Sequence, residues 1–237
     1  MRVLFLHHSG VPGGAEKSIL ELALALRARG VEPRFVLPSS GYLPKELAAA
    51  GVHVHLADLP KLKRTLNPLK LASYLSARSR LSGVVREIVA ADKIDLLHFN
   101  SLSAAVLFGE GVADGPPSIM HLRDSIVPKP VFSAFAAGMT AYVAISEYME
   151  EVLTRYLKVP DHKVFSITNG LVLPQPATED EKAKARKKLG IAPDTVVFLS
   201  VGAFVPWKNQ TSLLDAFKIL RKHHHGTKLI VCGSDIT

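Results

Sequence analysis

Short apolar runs alternate along this chain with longer segments in which apolar residues recur every three or four positions. The short runs are typical of buried strands and the longer segments of helices. The runs do not alternate strictly between apolar and polar residues, so we expect both faces of the sheet to be covered, as in parallel sheets. The pattern therefore predicts an α/β fold with a doubly wound, parallel, Rossmann-like sheet. The predicted strands are Arg2–Leu6, 31–37, 52–56, 94–99, 117–122, 141–145 and 163–168.

A proline-rich stretch over residues 173–177 interrupts this pattern. Proline and polar residues between periodic segments are typical of a linker. Only a charged helix and one strand-helix-strand unit follow it, and one such unit cannot cover both faces of its strands. We therefore predict one complete domain over residues 1–172. Residues 173–237 are predicted to form the linker and the start of a second Rossmann-like domain.

The composition is that of a folding chain, with 48% hydrophobic residues among 237 and a net charge of +8. The single cysteine, Cys232, excludes an internal disulfide and fits a reducing compartment. No secretory signal is visible, and no run approaches the roughly 20 apolar residues that a spanning helix needs. These features predict a cytoplasmic protein. Basic residues are not interleaved with stacking aromatic residues, so we expect no nucleic-acid partner.

Gly13 and Gly14 lie between the first predicted strand and a helix predicted from Ser18. Glycines there let the backbone approach an anion, and the free N–H groups of a helix start favour negative charge. Ligands of open α/β sheets bind beyond the carboxyl ends of the strands, which is where this turn falls. The spacing is not that of a dinucleotide-binding fingerprint, and a plain tight turn is the alternative.

Three other polar positions follow predicted strands. His121 ends the fifth strand and precedes Arg123; histidine can act as an acid, a base or a hydrogen-bond donor near neutral pH. Asn100 ends the fourth strand and faces the same crevice. Lys208 follows a glycine turn at the start of a helix, a place suited to a diphosphate. The alternative to a functional role is that His121 is a hydrogen-bonded polar residue at the sheet edge and that Lys208 is a solvated surface lysine.

A basic segment spans residues 61–80 and contains no acidic residue. A basic amphipathic segment can lie on an anionic membrane, which would place the protein at the inner membrane face. The alternative is a solvated helix face above the core. The cations concerned are Lys61, Lys63, Arg64, Lys70, Arg78 and Arg80.

Taken together, the chain resembles the GT-B glycosyltransferases of family 4, also called group 1 glycosyltransferases. Residues 2–16 are similar to the family's first strand with its Gly-Gly-Ala-Glu loop, and residues 118–121 to the strand that ends in its active-site histidine. Residues 141–147 resemble the apolar run that ends in Ser-Glu. Residues 168–171 and 201–209 resemble the hinge and the diphosphate loop. The order and spacing hold along nearly the whole chain.

This resemblance implies a retaining, metal-independent transfer from a nucleotide sugar to a sugar, lipid or other acceptor. The acceptor would bind the first domain and the donor nucleotide the second. Gly13 and Gly14 would border the donor phosphates and the acceptor, and His121 would contact the sugar near the reacting carbon. Lys208 would hold the diphosphate. Asn169 in the hinge, with Asn100 and Arg123, would complete the donor and acceptor contacts.

Two departures from the family pattern qualify these expectations. Ala203 stands where the family usually has an arginine in the diphosphate loop. The family's glutamate-rich donor motif would fall beyond residue 237, so we expect weak or no transfer by these residues alone. Two other functions stay open. A nucleotide-sugar 2-epimerase would release free nucleotide without an acceptor, and a non-catalytic acceptor- or membrane-binding module would transfer no sugar at all.

Overall fold

The computed structural model describes residues 1–60, 67–109, 115–123 and 128–234. The chain divides into two compact units, Met1–Val172 and Leu173–Thr237. The first contains a seven-stranded sheet and the second a two-stranded sheet. Each unit is described by itself below.

The sheet of the first unit is parallel throughout, with strand order β3-β2-β1-β4-β5-β6-β7. The order reverses direction between β1 and β4, which confirms the predicted doubly wound, Rossmann-like fold. The strands are β1 Arg2–Leu6, β2 Glu32–Pro38, β3 His53–Ala57, β4 Leu96–Phe99, β5 Ser118–Leu122, β6 Ala141–Ala144 and β7 Val164–Ser166.

Helices cover both faces of this sheet, and successive strand residues feed the two cores alternately because strand side chains alternate in direction. Phe5 and Phe35 stack in the core under α1 and α2, at a centroid distance of 4.9 Å. Leu4 and Leu6 point into the larger core formed with α3 to α6. The helices are α1 Gly14–Arg27, α2 Tyr42–Ala49, α3 Pro68–Asp92, α4 Leu102–Phe108, α5 Lys129–Phe135 and α6 Glu147–Glu151, which continues as a π-helix over Val152–Tyr156.

Helix α1 begins at Gly14, four residues before the predicted start at Ser18, so the predicted glycine loop is wrong in part. Gly13 is the extended N-cap, and Gly14 to Glu16 form the first helical turn. The prediction failed because two consecutive glycines are poor helix formers. Here the Glu16 carboxylate accepts from its own backbone N–H, and a carboxylate in the first turn is favoured by the helix dipole.

The second unit contains α7 Glu179–Lys188, β8 Val196–Val201, α8 Gln210–Arg221 and β9 Thr227–Cys232. Strands β8 and β9 pair in parallel, so the predicted strand-helix-strand unit is present. Thr178 and Glu181 form a capping box that satisfies the first turn of α7. Among the described residues of this unit, only Ile191 is a buried hydrophobic residue.

The basic segment is only partly visible, since Lys61, Lys63, Arg64 and the side chain of Lys70 lie outside the described residues. Arg78 Nη1 donates to the backbone oxygen of Val106 at 2.6 Å, and Arg80 Nη2 donates to that of Asp58 at 2.8 Å. These two guanidinium groups thus bind the protein itself. No helix among the described residues is long and apolar enough to cross a membrane.

Candidate active site

The candidate site lies at the carboxyl edge of the first sheet, where the strand order reverses between β1 and β4. His7 directly follows β1, and Asn100 directly follows β4 and donates its backbone N–H to the oxygen of Leu6 at 3.1 Å. His121 is the second-last residue of β5, two strands from β1. Both Asn100 and His121 are buried. Parallel strands bring these side chains to one edge because their carboxyl ends all point the same way.

Arg123 connects the predicted site residues. Its Nε donates to Asn100 Oδ1 at 3.0 Å, its Nη1 to Asn169 Oδ1 at 2.7 Å, and its Nη2 to His121 Nδ1 at 3.3 Å. Burial lowers the pKa of Arg123 to about 10, while the nearby charge of Glu16 acts in the opposite direction. The guanidinium is therefore charged at neutral pH and acts only as a donor.

The contact with Arg123 determines which nitrogen of His121 carries the proton. Because Arg123 can only donate, Nδ1 must accept, and the proton of the neutral ring lies on Nε2. Burial, together with the charge of Arg123, lowers the pKa of His121 to about 2. Its Nε2 is buried and has no partner within the described protein. His121 is thus neutral at neutral pH, and its Nε2–H can donate a hydrogen bond to an acceptor atom. It does not act as a general acid at that pH.

His98 packs directly against His121, with ring centroids 5.4 Å apart and planes 15° apart. On its other side it contacts Phe5 at a centroid distance of 4.7 Å. Burial lowers the pKa of His98 to about 3. His98 is thus buried in the core, where it supports the ring of His121.

Asn169 follows β7 and closes one side of the site. Besides its contact with Arg123, Asn169 Oδ1 accepts from Ser18 Oγ of helix α1 at 3.1 Å. A cavity of about 320 Å³ opens between α1, the pair His121 and Arg123, and residues 167–172. The predicted residues Asn100, His121, Arg123 and Asn169 are therefore brought together.

The two glycines have different surroundings. A Cβ on Gly13 would lie 2.5 Å from Glu16 Oε2, so the glycine leaves room for that carboxylate. A Cβ on Gly14 would meet nothing within 4 Å. Neither Glu16 nor Ser18 was among the predicted site residues. The signal for Glu16 was its position in the family-like Gly-Gly-Ala-Glu run.

Lys208 belongs to the second unit and is exposed. It ends the 3-10 turn Pro206–Lys208, which leads from β8 to the start of α8. Asn209 follows in a left-handed conformation, with φ of 51°. Gln210 Nε2 donates to the backbone oxygen of Ala203 at 2.7 Å and ties the turn together. The turn thus presents a cation beside the N-terminus of a helix, a place that favours an anion. Binding of a diphosphate there stays a prediction.

Among the described residues, one group of side chains has the spacing of metal ligands: His53, His55 and Asp92. Asp92 Oδ2 already accepts from His55 Nε2 and from Arg34 Nη1, both at 2.8 Å. The positive charge of Arg34 at Asp92 Oδ2 disfavours the binding of a metal cation to that oxygen. The group also lies on β3 and the end of α3, away from the residues that surround Arg123. Metal independence of the reaction stays a prediction.

Two family models match the chain. The family model described as Glycosyltransferase Family 4 matches residues 12–173, and the model described as Glycosyl transferases group 1 matches residues 181–236. No curated protein matches the chain.

Several solved structures share the fold. The structure of Anabaena HepE in complex with UDP and glucose has a TM-score of 0.74 and 22% sequence identity, over 100% of this chain and 62% of its own. A glycosyltransferase from Rickettsia africae gives a TM-score of 0.70 at 16% identity, over 99% of this chain and 69% of its own. The chain thus spans less than two thirds of the HepE chain. By its match to the family model over residues 12–173, the chain belongs to glycosyltransferase family 4.

Proposed function

We propose that this protein acts in the transfer of a sugar from a nucleotide-sugar donor to a sugar, lipid or other acceptor, with retention of configuration and without a metal ion. Membership of glycosyltransferase family 4 supports the class of reaction. The complexes of HepE with UDP and with UDP-glucose support a nucleotide sugar as donor.

The unpartnered Nε2–H of His121 is the observation that carries this proposal. A buried donor without a partner is costly, and a hydroxyl or ring oxygen of a bound sugar would relieve that cost. Because His121 is held by Arg123 and stacked on His98, its N–H direction is fixed before a sugar arrives. Such preorganisation lowers the barrier by orienting the reacting carbon.

The second unit would hold the leaving diphosphate. Lys208 and the N-terminus of α8 supply positive charge where negative charge develops on the departing oxygen. Ala203 contributes no charge to this turn, so Lys208 would supply the cationic side chain of the loop alone. Closure around the reactants would exclude water and favour transfer over hydrolysis.

The test is transfer from a panel of UDP- and GDP-sugars to sugar and lipid acceptors, with the anomeric configuration of the product read by proton NMR. Transfer by residues 1–237 alone should be weak, and we expect whatever product forms to have a retained configuration and EDTA to have no effect on its rate. His121→Phe should lower the rate by about 100-fold, since one donor to the reacting sugar is worth roughly that factor. His162→Phe, an exposed histidine of the same unit, should leave it unchanged.

An inverted product, or equal rates for His121→Phe and His162→Phe, would contradict the proposal. Free nucleotide released without any acceptor would favour the 2-epimerase. Failure of every nucleotide sugar to bind the folded protein, measured by calorimetry, would favour the non-catalytic module.

A further inference from the structure

We propose that Glu16 and His7 are positioning residues, which hold Arg123 in place and thereby fix His121 as an Nε2–H donor toward the substrate. The catalytic meaning of this inference rests on the proposed function, but the arrangement itself does not. Neither residue would touch the sugar. Each acts through its neighbour at the carboxyl edge of the sheet.

A continuous chain of hydrogen bonds joins Glu16 to His121 across α1, β1, β4 and β5. Glu16 Oε1 contacts His7 Nε2 at 3.0 Å, and His7 Nδ1 contacts Asn100 Nδ2 at 3.3 Å. Asn100 Oδ1 accepts from Arg123 Nε at 3.0 Å, and Arg123 Nη2 reaches His121 Nδ1 at 3.3 Å. Four of the five residues are at most 7% exposed. We call this set the Glu16 relay.

The two charged members of the Glu16 relay determine every proton position between them. Arg123 can only donate, so Asn100 must turn its oxygen to Arg123 and its amide nitrogen to His7. His7 Nδ1 must then accept, which places the ring proton on Nε2, facing Glu16. Glu16 can accept it because ionised carboxylates only accept. A reversal at any one member would bring two donors face to face.

Glu16 is ionised in spite of its place in the core. Burial raises the pKa of its carboxyl group, but hydrogen bonds with His7 and Ser9 and with its own backbone N–H lower it, and the net shift is downward. Its negative charge stabilises the positive charge of Arg123 across the side chains of His7 and Asn100, which lie between them. A partly buried guanidinium without such a counter-charge would still lose part of its solvation. The carboxylate therefore keeps Arg123 at the site.

Gly13 has a role in the same relay. A side chain at this position would collide with Glu16 Oε2, at 2.5 Å from its Cβ. Gly13→Ala would therefore displace the carboxylate from His7. Gly138→Ala, at an exposed position of the same unit and with open space around its Cβ, is the matched control.

The first test is ¹⁵N NMR of the imidazole rings in the full chain, which shows the protonated nitrogen of each histidine. In the unaltered protein we expect both His7 and His121 to carry the proton on Nε2. Either ring with its proton on Nδ1 would overturn the relay without any variant. This measurement needs no enzymatic activity, so it separates the relay from the proposed function.

The second test interrupts the relay at His7. His7→Phe keeps a ring of similar size but leaves the amide N–H of Asn100 without its acceptor. Arg123 should then be held less firmly, and His121 should show a mixture of the two neutral tautomers, with the proton on Nε2 or on Nδ1. His7→Asn, whose oxygen can replace Nδ1 as acceptor, should restore the single form. An unchanged His121 signal in a folded His7→Phe protein would refute the inference.

Kinetics then distinguish positioning from binding. We expect His7→Phe to lower kcat by about 10- to 100-fold with little change in KM for the donor, since misplacement of a catalytic group costs roughly that factor. Glu46→Gln, at an exposed position on α2, should leave both constants unchanged. If His7 and His121 carry their protons on Nε2 but the protein transfers no sugar, only the proposed function is contradicted. If either ring carries its proton on Nδ1 and the protein still transfers sugar, only the relay is contradicted.

Discussion

His98 and His121 lie stacked and uncharged at the carboxyl edge of the sheet, because burial and the charge of Arg123 oppose their protonation. In the folded protein their pKa values are about 3 and about 2, against 6.5 for the ordinary group. The folded state thus excludes protons that the unfolded chain would bind at mildly acidic pH. This difference must appear in the stability of the protein.

As the pH falls below 6.5, the unfolded chain takes up these protons and the folded chain does not, so the free energy of unfolding should fall with pH. Each group contributes up to about 1.4 kcal/mol per pH unit between roughly pH 6 and pH 4. His98→Phe removes one of the two groups, so it should remove about half of what they add to the slope of the free energy of unfolding against pH. His162→Phe, at an exposed position, should leave the slope unchanged. Urea unfolding at several pH values measures the slope, and identical slopes for all three proteins would contradict the prediction.

Two exposed lysines have left-handed backbones, Lys93 with φ of 50° and Lys158 with φ of 61°. A side chain at such a φ costs roughly 1 kcal/mol or more, which glycine avoids. Lys158→Gly should therefore raise the free energy of unfolding by up to about 1 kcal/mol. Lys45→Gly, in helix α2, should lower it by about the same amount. A destabilised Lys158→Gly protein, measured by thermal or urea unfolding, would show that the backbone strain is not relieved there.

At the scale of elements, Arg78 ties α3 to the two helices beside it. Its Nη1 donates to the backbone oxygens of Ala105 and Val106 at 3.2 and 2.6 Å, and its guanidinium lies 4.6 Å from the ring centre of Phe135. Carbonyl groups near the end of α4 attract a cation because they carry the negative end of the helix dipole. Arg78, one of the six cations that the sequence suggested for membrane contact, therefore has a packing role.

Arg78→Met keeps the apolar stem but leaves both carbonyl groups without this donor, so we expect a loss of about 1–3 kcal/mol in the free energy of unfolding. Arg86→Met, at an exposed position of the same helix, should change it by less than about 0.5 kcal/mol. Chemical unfolding of the two variants tests the difference. Equal stabilities would mean that the contacts of Arg78 contribute nothing net.

The elements themselves were largely predictable from the sequence, and their ends were less so. β1 was predicted at its observed bounds, because an apolar run of that length between polar residues has few alternatives. α1 was placed too late because Gly13 and Gly14 suggested a loop. The sequence does not distinguish the π-helix after α6 from an α-helix, since a single wider turn leaves the apolar spacing almost unchanged.

For the molecule as a whole, topology made the location of the site predictable and left its internal contacts unpredictable. The carboxyl ends of parallel strands had to bring Asn100 and His121 to one edge. The central place of Arg123 depends on hydrogen bonds to residues 23 and 46 positions away, which no local pattern specifies. The burial of Glu16 likewise depends on His7, which reaches it from a different element.

The two units differ sharply in how much apolar surface they bury, and this difference should be visible in their dynamics. Residues 3–6 of β1 are at most 2% exposed, whereas Phe198, Leu199 and Val201 of β8 are 42%, 63% and 75% exposed. Local opening is easiest where few apolar contacts must be broken. The amides of β8 and β9 should therefore exchange with deuterium at least about 100-fold faster than those of β1, which corresponds to opening that is roughly 2.7 kcal/mol easier.

Deuterium exchange followed by mass spectrometry gives both rates in one experiment, and peptides from β4 serve as an internal reference for the first unit. If the second unit binds the nucleotide, saturating UDP-glucose should slow exchange at β8 and at the Pro206–Lys208 turn, because a ligand that binds only the closed form suppresses opening in proportion to its occupancy. Exchange at β1 should stay the same, since we expect its buried strand to open only with the whole first unit. Equal rates at β1 and β8 without ligand would mean that the exposed strands are held by interactions other than apolar burial.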